Sequence, residues 1–300
     1  MLDTLPEDSF ADARMASLAD HAAREALSSV ARPAFTRLPL PVMLSVPAHR
    51  PGWSAEDALR FARTFMTGLP VPVDKRQSGI VETGHDGGLE ALGSAIEALQ
   101  SGRAEMCLVG GVESFKDIDT LHWLESYDRL LQDDRPNGFI PGEGAAFILV
   151  CTAECAYRHR FTPVARVLGL SHAIEPNPWY MGKSSIGQGL TSAFRAVLTD
   201  DGPKAAVTYC DLNGESWRAD EWSLAYIRNG ERFEDPLNMH HPADRWGDVG
   251  AATGALLLAL SAFEFARRPD GAPTALVWAA SDTRPVRSAC LLERAERRAA

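Results

Sequence analysis

The chain has no excess of positive charge. Its 30 Lys and Arg stand against 40 Asp and Glu, a formal net charge of −10. A surface of that sign repels phosphate backbones, so nucleic acid is excluded as a main partner. It also has no long apolar run: the longest, Gly250 to Phe263, stops at Glu264. That is too short to span a bilayer and suits a buried helix. The opening Met1-Leu-Asp-Thr-Leu-Pro-Glu-Asp-Ser-Phe10 has neither a basic segment nor an apolar core, so no secretory signal is expected. Cysteine is scarce. The five (Cys107, Cys151, Cys155, Cys210, Cys290) are odd in number and lack paired metal-ligand spacing, with Cys151 and Cys155 four apart and no second pair. A disulfide framework is thereby excluded and a reducing, cytoplasmic setting expected. Gly/Ser and Pro-rich linkers are missing, and no internal repeat is visible.

What is present is an ordinary globular composition, 45% hydrophobic and 23% charged. A chain of this size buries roughly 75% of its unfolded surface. Helical and strand periodicities alternate almost throughout. Met15, Leu18, Ala22, Ala26 and Val30 predict a helix over 13–31. Val42, Leu44 and Val46 predict a strand over 39–46. Ser54 caps the next helix, with Asp57 completing a capping box. A strand over 77–82, a helix over 89–99 and strands over 105–112 and 144–150 follow. Beyond Pro163 the pattern predicts a strand (163–172), a helix (184–199), a strand (205–210), helices (218–228, 249–266) and two closing strands (274–280, 288–293). Val-, Ile- and Leu-rich strands alternating with helices indicate α/β layers with a mainly parallel sheet. The best join is at 153–165, dividing the chain into halves 1–157 and 158–300.

Two segments are distinctive: Glu82-Thr-Gly-His-Asp-Gly-Gly-Leu-Glu-Ala-Leu92, running on to Leu108-Val-Gly-Gly-Val112, and Arg135-Pro-Asn-Gly-Phe-Ile-Pro-Gly-Glu-Gly-Ala-Ala146. Together with Gly247-Asp-Val-Gly-Ala-Ala-Thr-Gly254 they resemble the β-ketoacyl synthases of the thiolase-like superfamily. The resemblance implies a thiolase-like fold, two similar halves layered α-β-α-β-α. It also implies a homodimer, or a heterodimer with a related synthase; a place beside bacterial secretion machinery is a further expectation. Active members condense acyl chains through a Cys nucleophile and two His. By position, the thiol falls on His85, the first His on Asp211 and the second on Asp248. The glycine-rich oxyanion loop falls on Ser281-Asp282-Thr283-Arg284-Pro285, which has no glycine, and the family's opening strand has no counterpart before residue 12.

Such exchanges remove the chemistry. A thiol at a helix N-terminus is stabilised as thiolate, whereas an imidazole there is biased against its cation, so His85 is expected to be neutral. Ionised Asp accepts hydrogen bonds but donates none. Losing one preorganised donor costs ~3–4 kcal/mol of transition-state stabilisation, and replacing two by anions costs more. The favoured reading is a degenerate, non-condensing protein that works by binding, as a scaffold or accessory subunit, with His85, Asp211, Asp248, Trp246, Ser281 and Asp282 lining the former site and no cofactor. The alternative is an acyltransferase, a thioester hydrolase or a metal-dependent enzyme built on His85, Asp211 and Asp248. Cys210 reads as an inert buried thiol, His240-His241 as loop, Gly182–Gly189 as the start of a helix, and the basic tail (Arg294, Arg297, Arg298) as a solvated end. Trp217, Trp222 and Trp246 read as core, with narrowing of an acyl tunnel as the alternative.

Overall fold

The computed structural model describes residues 10–28, 39–235 and 237–296. The first helix, α1 (Ala11–Ser28), turns Met15, Ala19, Ala23 and Leu27 inward at the predicted spacing; the expected residues 29–31 lie outside the described residues, as do Arg297 and Arg298. It is followed by β1 (Val42–Ser45), α2 (Ala55–Gly68) and β2 (Gly79–Val81). The predicted capping box opens α2: the Asp57 N–H donates to Ser54 Oγ and the Ser54 N–H donates to the Asp57 carboxylate. Next come α3 (Gly87–Gln100), β3 (Met106–Ser114), α4 (Ile118–Ser126) and β4 (Glu143–Cys151). The short α4 has no counterpart in the periodicity reading, since it buries only Thr120 and Leu124 and so shows no apolar stripe.

The second part contains α5 (Ala153–His159), β5 (Ala165–Ile174), α6 (Gln188–Val197), β6 (Val207–Cys210), α7 (Ser216–Asn229), β7 (Met239–His240), α8 (Ala243–Trp246), α9 (Thr253–Arg267), β8 (Thr274–Ala280) and β9 (Val286–Arg294). The strands form two sheets, ordered β2-β1-β3-β4 and β5-β9-β8-β6-β7. Read from the β7 edge, the second repeats the first and adds β5. In each, three strands run parallel (β2, β1, β3; β7, β6, β8) and a fourth returns antiparallel (β4; β9). The sheets are therefore mixed, with parallel pairings in the majority.

Three apolar layers separate the sheets from solvent and from each other. Residues of α1 and α2 cover the outer face of the first sheet, and those of α6 and α7 the outer face of the second. The middle layer is made by α3 and α9 with Val109, Val207, Val277 and Cys290 from both sheets. That is the thiolase-like α-β-α-β-α arrangement. Both central helices are apolar, because both sides of each face a sheet. They cross at backbone contact: a Cβ on Gly88 would lie 2.2 Å from the Ala255 nitrogen. This approach brings the turns that precede the two helices, Gly84–Asp86 and Gly250–Ala252, to one place.

Candidate functional site

His85 stands in the turn leading into α3, at the head of the middle layer, and is 2% exposed. The turn is tight. Gly84 adopts φ +78°, and a Cβ there would come within 2.4 Å of Asp282 Oδ1, so only glycine permits both the bend and the contact. Asp248 reaches His85 from the turn before α9: His85 Nε2 donates to its carboxylate at 2.7 Å. The same carboxylate accepts from the Gly250 N–H at 2.7 Å and from Asn213 Nδ2. Its backbone is clamped by the 135–146 loop, with Asp248 N–H donating to Ile140 O and Gly142 N–H to Asp248 O, both 2.7 Å.

On the other side, Asp282 Oδ1 lies 3.5 Å from His85 Nδ1. Ser281 fixes that loop to the turn by donating from Oγ to Thr83 O at 2.6 Å. Arg129 is the common partner of Asp282 (2.9 Å) and Glu215 (2.7 Å), with its guanidinium over the Phe139 and Trp179 rings. Asp211, at the end of β6, does not bond His85. It is held by Arg218 of α7 and by the Ala280 N–H at 2.7 Å, and Arg218 is itself fully buried. Trp246, expected in the core, is instead exposed, where it lines the space beside His85 and Asp248.

All six predicted residues therefore gather in one region, but the charge state differs from expectation. Burial and Arg218 push the His85 imidazole down, yet Asp248 and Asp282 outweigh them and raise its pKa to about 10. His85 is an imidazolium, not a neutral ring: two carboxylates at contact distance exceed the bias of a helix terminus. Despite burial, Asp248 and Asp282 are held below the carboxylate range, by His85 first and then by Arg218 and Arg129 respectively. Burial dominates at Asp211, whose pKa is raised against the opposing pull of Arg218.

The protonated ring is confined to proton donation. An imidazolium has no lone pair with which to attack, to take a proton or to bind a metal. Cys210 borders the same space, but burial pushes its thiol far above the ordinary range, and it points to the His240 carbonyl. Room is short as well. The two cavities touching His85 measure about 10 and 20 Å³, and one water needs roughly 10–15 Å³ on this measure. Trp222 lies in the core, stacked on Trp278, and Trp217 lies over Arg218. Of the predicted loop pair, His240 is in β7 against Tyr209, and α6 begins at Gln188, inside the glycine-rich run, four residues later than the expected start at 184.

Sequence reasoning missed Arg129, Asn213, Glu215 and Arg218. Converging buried carboxylates demand nearby cations, so the need for arginine was readable. Glu215 and Arg218, three apart at the start of α7, were the visible pair; Arg129 carries no such mark.

Comparison with known proteins agrees with this architecture. Residues 77–156 match the family model of the β-ketoacyl synthase N-terminal domain. A protein of Streptomyces virginiae named as a polyketide β-ketoacyl synthase is 26% identical over 134 residues, 41% of this chain and 31% of its own length. The match thus spans about a third of that relative. Among solved structures, a chain of the AntDE:AntF complex, a type II acyl-carrier protein with its ketosynthase, superposes with TM-score 0.72 at 17% identity, covering 94% of this chain and 85% of that one. The ketosynthase of module 6 of the bacillaene synthase from Bacillus subtilis 168 gives 0.73 at 15%, covering 95% and 59%. The ishigamide ketosynthase/chain length factor gives 0.62 at 23%, covering 94% and 81%. The fold is that of the ketosynthases. No helix among the described residues is long and apolar enough to cross a membrane.

Proposed function

We propose that this chain is a ketosynthase-like protein whose condensing site has been converted into a buried ionic cluster, and that it acts by binding, as a scaffold or accessory subunit. In this reading His85, Asp211 and Asp248 occupy the positions of the Cys nucleophile and the two His of condensing relatives, and the two halves join near residue 157. The carrying observation is the buried His85 ring held 2.7 Å from Asp248 and 3.5 Å from Asp282, with cavities of only about 10 and 20 Å³ beside it. A protonated imidazole has no lone pair with which to form an acyl-imidazole, and a space of that size holds neither an acyl chain nor a phosphopantetheine arm. Paired assembly, as a homodimer or with a related synthase, fits the fold; one similar structure is named as a ketosynthase/chain length factor.

The test is incubation of the pure protein with acetyl- and malonyl-thioesters, read by intact mass and product analysis. The expected result is no adduct and no product, with His85→Ala indistinguishable from the parent. An adduct or turnover that disappears in His85→Ala overturns the proposal in favour of an enzyme centred on that residue.

A further inference from the structure

We propose that Glu105, Cys155 and His159 form a binding site for a zinc-type divalent cation, at the end of the first sheet away from His85. One ligand atom from each lies within 4.8 Å of the other two, and this is the one such group of three among the described residues. Bond lengths of about 2.0–2.3 Å give ligand–ligand edges of roughly 3.3–3.8 Å in a tetrahedral zinc site, so the group closes on an ion with side-chain shifts of about an ångström. The spacing has a local cause. Cys155 and His159 are one helical turn apart on α5 and share a face. Thr152 caps that helix, its Oγ1 accepting from the Cys155 N–H at 3.1 Å. The Thr152 N–H in turn donates to Glu105 O at 3.1 Å, which ties the helix start to the residue before β3. The His159 ring packs on Phe161 with centroids 6.0 Å apart.

Cys151 ends β4 four residues before Cys155, and neither is in a disulfide. Glu105 is engaged by Arg158 at 2.9 Å, but that pair is about half exposed on both sides and is a weak competitor. A sulfur, nitrogen and oxygen set selects Zn²⁺ or Co²⁺ over the hard ions Mg²⁺ and Ca²⁺. This site stands apart from the cluster described above: β3 runs roughly 26 Å between Glu105 and Glu113, which borders one of the His85 cavities. Its role is that of a clamp joining α5 to the ends of β3 and β4.

The experiment uses the full chain, stripped with chelator and kept reduced, titrated with Zn²⁺ by calorimetry and with Co²⁺ by absorption. One ion per chain is expected, with a sulfur-to-cobalt charge-transfer band. Cys155→Ser should abolish the band. Glu105→Gln, an exposed change that leaves the fold intact, should weaken Zn²⁺ binding by about tenfold or more. Arg158→Gln should bind at least as tightly as the parent. No uptake by the reduced protein overturns the proposal, and so does uptake unchanged in both Cys155→Ser and Glu105→Gln. A Cys151–Cys155 disulfide formed in a protein that takes up no metal when reduced overturns it too.

Discussion

Replacing Asp248 by Asn tests the ionic cluster at its centre. The carboxylate accepts from His85, Asn213 and the Gly250 N–H, and it is almost wholly buried. Asn keeps the shape but removes the charge, leaving His85 buried with only the longer contact to Asp282. Removing one member of a buried pair costs about 3–5 kcal/mol. For a chain of this size, at about 2 °C per kcal/mol, the melting temperature should fall by about 6–10 °C. The pH dependence gives a second signature. His85 has its folded pKa raised to about 10 from 6.5, so its contribution is complete below about pH 6.5 and is lost as pH rises through 10. Asp248 has its folded pKa lowered, so its contribution is present above about pH 4 and is lost in acid. The gap between parent and variant should therefore be widest near pH 5–6.5 and narrow towards pH 10. Thermal melts of Asp248→Asn, His85→Gln and the double variant across that range measure it, with the double variant recovering stability relative to Asp248→Asn because the stranded charge is gone. Equal melting temperatures for parent and Asp248→Asn at pH 6, or a gap that does not change with pH, would refute the electrostatic account.

Two further outcomes follow from the same physics. Arg218→Met should destabilise by about 3–5 kcal/mol by stranding the buried Asp211, and adding Asp211→Leu should restore much of that loss, read by denaturant midpoints. Asp86, buried in the His85 turn with one oxygen unpartnered, has its pKa raised to about 8 by burial and by Glu90. A raised carboxyl pKa favours the unfolded state increasingly from pH 4 to 8, so Asp86→Asn should stabilise by a few kcal/mol, on the order of the linkage value, at pH 8 and by little at pH 4. A variant no more stable than the parent at pH 8 counts against the buried, proton-bound state of Asp86.

The elements were readable wherever burial imposes a period. The α2 cap, the apolar α3 and α9, and β8 over 274–280 stand where periodicity put them. The duplication was readable only through the family resemblance, not as a repeat in the residues themselves. The sheets repeat one strand order, yet each position needs only an apolar side chain of suitable size, which leaves the residues free to diverge. At the site, the location of His85, Asp211, Asp248, Ser281 and Asp282 came from motif position, and the close approach of α3 to α9 realises it.

The residues present, their formal charges and the glycines that let two helices meet are properties of the chain as written. The charge on His85 is not. A pKa is set by distances to opposite charges and by exclusion of water, and both exist only once Asp248, Asp282, Arg129 and Arg218, drawn from distant segments, are folded around one ring. For the same reason the cysteine, histidine and glutamate at the other end of the first sheet became a candidate metal site only when strand pairing put Glu105 beside α5.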